Sequence, residues 1–233
     1  MISKTLSGLC LAGMEKPFNC PAYLYNQMRL IKNAGIFIIF GSILFAASGV
    51  SAETRIIFLG DSITSGLGVE KSQAYPHLVG KSLESMGYKG IKIINAGISG
   101  STSASALSRL QWHTRIKPDI LILALGANDG LRGLSTEKMK GNLDITIQYA
   151  LDQKIKVILT GMEIPPNYGP QYTEDFRNVF QYLSEKYEIS FMPFLLKDVG
   201  GIAALNQPDG VHPNSEGHKI ITKNILKYIL ENL

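Results

Sequence analysis

The chain has 233 residues, 45% hydrophobic and 18% charged, a globular balance that excludes disordered and collagen-like polymers and allows one domain, two at most. Two cysteines are too few for a disulfide scaffold or a four-cysteine zinc site. Of the net charge of +4, +3 falls in residues 1–52, where Lys4, Lys16, Arg29 and Lys32 face Glu15 alone, so the remainder carries no nucleic-acid footprint.

The first 52 residues read as an address. Arg29 and Lys32 form a positive n-region, 34–47 an apolar h-region, and Val50-Ser51-Ala52 a small-residue cleavage site, the layout of a secretory signal peptide over 28–52. An uncleaved anchor fits less well, because the apolar stretch fades into Ala, Ser and Gly before reaching the roughly 20 residues a span needs. Residues 1–27 precede a better start at Met28 and read as an over-extended start, or else as a short cytoplasmic tail. Both cysteines, Cys10 and Cys20, lie there, which leaves an exported, cysteine-free mature chain, periplasmic or secreted, with no stable membrane span after cleavage.

From residue 53 onward, short apolar runs alternate with helical periodicity. Strands are predicted at 55–60, 91–96, 119–125 and 156–160, with a weaker fifth at 189–194. Helices are predicted at 73–86, 102–115, 136–153, 171–187 and 215–230. Regular alternation implies an α/β domain over 53–233, with one parallel sheet covered by helices on both faces. Ligands in such sheets bind beyond the carboxyl ends of the strands.

Four segments fall at those ends. Gly60-Asp61-Ser62-Ile63 exposes a serine at a turn into a helix, although Asp61 or Ser62 also serves as an ordinary cap. Asn95-Ala96-Gly97-Ile98-Ser99-Gly100 puts Gly97 at the second strand's exit, as a close-approach glycine or a plain turn. Gly126-Ala127-Asn128-Asp129 can aim the Asn128 amide into the same crevice, with Asp129 as a buttress or a turn residue. Asp209-Gly210-Val211-His212 supplies a base together with its orienting carboxylate, or else is a surface loop before the last helix. Together they suit acyl transfer. Ser62 would be the nucleophile, His212 the general base and acid, and Asp209 the orienter, with the Ser62 and Gly97 N–H groups and Asn128 around the oxyanion.

These blocks, in this order, resemble the GDSL, or SGNH, hydrolase family over essentially all of 53–233, with Ile63 standing where the name motif has Leu. Within it, 126–133 and 164–169 are similar to the substrate loops of the bacterial periplasmic thioesterase, lysophospholipase and arylesterase branch. The resemblance implies a three-layer α/β/α sandwich of flavodoxin-like type, with a central five-stranded parallel sheet. It also implies an acyl-enzyme mechanism with no metal and no cofactor.

Other chemistries find no support. Thr64 stands where a Gly-x-Ser-x-Gly elbow needs glycine, and Gly66-Leu67-Gly68 is followed by Lys71, which leaves a dinucleotide fingerprint incomplete. His77, His113 and His218 fall in predicted helices, as solvated or packed residues too dispersed for a metal site. Trp112 and Met162 are assigned to the core. Leu131, Leu134, Ile164, Pro165 and Tyr168 are expected to form an apolar rim without a cationic cluster, suited to an acyl ester, thioester or lysophospholipid. Arg132 is expected to be a solvated surface residue or, less readily, a headgroup contact. The rival readings are a carbohydrate O-acetyl esterase and a non-catalytic lipid-binding protein.

Overall fold

The computed structural model describes residues 53–233, so the signal-peptide and start-site readings lie outside the described residues. Five strands form, β1 Thr54–Gly60, β2 Ile91–Asn95, β3 Ile120–Ala124, β4 Lys156–Thr160 and β5 Ser190–Met192. All pairings are parallel, in the order β2-β1-β3-β4-β5. β3 is buried along its whole length, which explains why its sequence is uninterrupted Ile, Leu and Ala. β5 is shorter than its apolar run because Pro193 has no N–H to extend the ladder.

The helices are α1 Ser62–Ser65, α2 Tyr75–Ser85, α3 Ala106–His113, α4 Ala127–Leu131, α5 Thr136–Asp152, α6 Pro170–Tyr187 and α7 Ser215–Leu230. α2 packs on α7 over one face of the sheet, while α5 lies between α3 and α6 over the other. This is the expected three-layer sandwich. α7 shows how the sequence sets the layering, since His218, Ile221, Thr222, Ile225 and Ile229 recur at helical spacing and are all buried. Among the described residues, no helix is long and apolar enough to cross a membrane.

The chain leaves β1 outward to β2 and returns past β1 to β3, so the direction of winding reverses between β1 and β3. That reversal opens a crevice at the carboxyl ends of those two strands. Ser62 follows β1 and Asn128 follows β3. Trp112 departs from its core assignment and is 61% exposed. It lies two residues after the buried Leu110 on α3, which turns it to the opposite side of the helix. Met162 is buried.

Candidate active site

Ser62 opens α1 immediately after Asp61, whose Oδ1 accepts the Ile63 N–H at 3.0 Å and caps the helix. Four residues later Gly66 ends α1 in the left-handed region. The Ser62 hydroxyl is thus held on a single tight turn directly above β1.

The partner loop comes from the other end of the chain. His212 Nε2 lies 2.9 Å from Ser62 Oγ, and His212 Nδ1 lies 2.7 Å from Asp209 Oδ2. The other carboxylate oxygen, Asp209 Oδ1, accepts the Val211 and His212 N–H groups at 2.9 and 3.0 Å. Hydrogen bonds from the His212 backbone and ring, and from the Val211 N–H, hold the Asp209 carboxyl down to about 2. Asp209 is therefore an anion throughout the neutral range, and it fixes the proton on Nδ1 so that Nε2 accepts from the serine.

Gln207 locks this loop in place. Its side-chain amide donates to Leu67 O just beyond α1 at 2.7 Å and to Pro213 O at 3.0 Å, while its own N–H bonds to His212 O at 2.8 Å. The Asn214 side chain caps α7 by accepting the Glu216 and Gly217 N–H groups, so the histidine loop hangs from a buried helix.

Of the three nominated oxyanion donors, Ser62 N sits at the first helical position, where the backbone has no intrahelical acceptor. Asn128 Nδ2 lies at the same crevice, donating to Ser101 O at 3.1 Å and approaching Asp61 Oδ2 at 3.4 Å. Gly97 is not brought to the crevice as a free donor, because its N–H is bonded to Asn95 Oδ1 at 2.9 Å. It is a packing glycine instead. A Cβ there would lie 2.2 Å from Ser65 N, so the end of β2 can approach α1 only without a side chain. Gly100, at φ +77°, lies next to the Ser101 carbonyl that meets Asn128, and among the described residues its N–H has no acceptor. The sequence offered two glycines in one segment, and spacing alone did not separate them.

Two supports were not foreseen in full. Asp129 accepts the Ser103 N–H at 2.8 Å and the Ser103 hydroxyl at 2.6 Å, and Asn142 donates to that same hydroxyl at 3.0 Å. Asp129 is therefore a buried buttress beneath Asn128. Arg109 Nη2 donates to Gly60 O at 2.9 Å and also to Ala96 O, joining the carboxyl ends of β1 and β2. Burial pushes the Asp61 carboxyl up to about 6, against the opposing pull of the Ile63 N–H and the Arg109 guanidinium.

Residues 58–220 match the model of the GDSL-like Lipase/Acylhydrolase family. The chain belongs to that family. It is an esterase of the GDSL class. Esterase TesA of Pseudomonas aeruginosa is 37% identical over 176 residues, which cover 75% of this chain and 87% of TesA. Thioesterase 1/protease 1/lysophospholipase L1 of Escherichia coli K12 is 29% identical, over 80% of this chain and 88% of that protein. The crystal structure of the psychrotrophic esterase EstA from Pseudoalteromonas sp., inhibited by monoethylphosphonate, superposes with a TM-score of 0.73. It is 32% identical over 76% of this chain and 97% of EstA.

In this GDSL esterase an apolar cavity of about 380 Å³ is lined by Ile63 and Val211, the chain neighbours of Ser62 and His212. Its walls include Ile63, Leu131, Met162, Ile164, Pro165 and Val211. Three of the five rim residues expected from the sequence, Leu131, Ile164 and Pro165, line it. The other two do not. Leu134 is exposed, and its carbonyl accepts the Tyr172 hydroxyl at 2.7 Å. Tyr168 points its hydroxyl at Leu131 O, 2.7 Å away, so it ties the 165–168 loop to α4 from outside the cavity. Arg132 is exposed and donates to Gly100 O at 3.0 Å.

Proposed function

We propose that the enzyme hydrolyses carboxylic esters and thioesters of apolar acyl groups through an acyl-enzyme on Ser62. The observation that carries this reading is the unbroken relay from Ser62 Oγ through the His212 ring to the ionised Asp209 carboxylate, with separations of 2.9 and 2.7 Å. His212 Nε2 takes the proton as Ser62 Oγ attacks the carbonyl carbon. The tetrahedral oxyanion is met by the Ser62 N–H, the Gly100 N–H and the second amide hydrogen of Asn128, whose first stays on Ser101 O. His212 then returns its proton to the departing alcohol or thiol. Water, activated by the same imidazole, attacks the acyl-serine and releases the acid.

The cavity beside Ser62 supports an alkyl or aryl acyl chain, because its walls are apolar and among its named lining residues only Glu163 carries charge. Medium and long acyl esters, including lysophospholipids, suit it better than acetyl groups, and a carbohydrate O-acetyl esterase has no use for such a wall. Residues 28–52 would direct the enzyme to the periplasm or outside the cell. The test is labelling of the purified protein with a fluorophosphonate, followed by peptide mass spectrometry. The adduct is expected on Ser62 and is expected to vanish in His212→Ala. A folded protein that takes no label would overturn the mechanism in favour of non-catalytic lipid binding.

A further inference from the structure

A second concavity, of about 950 Å³, runs along the outer edge of the sheet on the far side of β1 from the acyl cavity. It begins at Ser65, Asn95 and Gly97, one helical turn from Ser62, and follows Ile91 and Ile93 down to Lys89. Three lysines from separate elements reach it: Lys71 before α2, Lys81 on α2 and Lys89 before β2. His77 joins them, and the one acidic lining residue, Glu84, is bonded to Lys81 at 2.9 Å.

The floor also offers unpaired backbone, both N–H donors and C=O acceptors. β2 pairs with β1 through Gly90 O and Ala96 N, in a register that matches Ile91 with Thr54 and Asn95 with Phe58. Residues of that parity turn their N–H and C=O groups toward β1, so those of Ile91, Ile93 and Asn95 turn outward along an edge of roughly 13 Å. β2 is an edge strand, and nothing in the sheet takes those groups.

We propose that this edge groove is the leaving-group site: it receives the extended, phosphate-bearing alcohol or thiol half of the substrate while the acyl half occupies the apolar cavity. The inference rests on the serine-esterase reading above, since an ester bound at Ser62 must send its two halves in different directions from the carbonyl carbon. One direction is apolar and nearly uncharged. The other is lined by three ammonium groups, a chemistry that favours phosphate over a neutral alcohol. A coenzyme A thioester and a lysophospholipid both present phosphate on this side. Lysines along an unpaired edge also deter strand addition, and that role alone predicts no effect on substrate kinetics.

The experiment compares the parent with the Lys71→Glu/Lys81→Glu double variant on decanoyl coenzyme A, 1-decanoyl lysophosphatidylglycerol and p-nitrophenyl decanoate. For at least one phosphate-bearing substrate, KM is expected to rise about tenfold with kcat nearly unchanged, and the rise should fade at high salt. The neutral ester should react as in the parent, which also reports that the variant is folded. A rise confined to the thioester assigns the groove to nucleotide phosphates, and one confined to the lysophospholipid assigns it to a glycerophosphate. Unchanged KM on both, or an equal loss on all three substrates, would overturn the proposal. A parent inactive on the neutral ester would instead overturn the serine-esterase reading.

Discussion

At the residue scale, the site depends on which polar groups are already spoken for. Asn128 Nδ2 spends one hydrogen on Ser101 O at 3.1 Å and has only a long, 3.4 Å approach to Asp61. Its second hydrogen is therefore weakly held and available to a new anion. An oxyanion offers it a shorter, charge-assisted bond that the ground-state carbonyl does not. Asn128→Ala is accordingly expected to lower kcat by 10²–10³, about 3 kcal/mol of transition-state stabilisation, with KM little changed. Steady-state kinetics on p-nitrophenyl decanoate would check this, and a change confined to KM would show that Asn128 only positions the substrate. Gly97 illustrates the opposite case, because its N–H is satisfied by Asn95 and has no comparable reserve.

At the element scale, strands were easier to read than loops. β1, β3 and β4 stand in the sequence as uninterrupted apolar runs, because a parallel strand covered on both faces has no polar side to confuse the pattern. The helix expected at 102–115 is α only from Ala106 to His113, with 3₁₀ turns on either side. At the start of that first turn the Ser103 N–H is taken by Asp129, 26 residues away. Ser62, Asn128, Asp209 and His212 were legible because each sits in a short motif at a strand or helix end. Gln207, Arg109 and the lysine groove were not, because their meaning lies in contacts between segments far apart in the chain. Gly97 was legible as a residue but not in its role. Gly97→Ala forces the new Cβ against the α1 backbone, which cannot swing aside as a side chain would. It is expected to cost at least ~2 kcal/mol of stability, read as a lower midpoint in urea. An unchanged midpoint would mean that β2 and α1 are free to separate there.

At the scale of the whole molecule, the buried ionisable groups set opposing pH dependences. Burial of His218 between α7 and α2, with its Nδ1 accepting the Tyr75 N–H, lowers it to about 4. The unfolded chain then binds a proton that the folded chain refuses, so stability falls as pH drops through the ordinary histidine range and the loss is complete near pH 4. Asp61 acts in the other direction. Its folded value of about 6 lies above that of an unfolded aspartate, so the folded chain takes up a proton first and gains stability as pH falls from about 6 toward 4. Between pH 7 and 5, His218 costs about 2 kcal/mol while Asp61 returns about 1 kcal/mol, so Asp61 offsets about half of the histidine loss. Asp209 stays ionised in the folded chain until about 2, so its contribution is lost as pH falls from the ordinary aspartate value toward 2. Urea unfolding of the parent should therefore show a loss of only about 1 kcal/mol from pH 7 to 5. Asp61→Asn is expected to uncover the histidine slope, losing about 2 kcal/mol over that interval, whereas His218→Gln should become more stable toward acid by about 1 kcal/mol. Parallel profiles for the parent and both variants would mean that neither group changes its proton occupancy on folding, and that the acid response is set elsewhere on the surface.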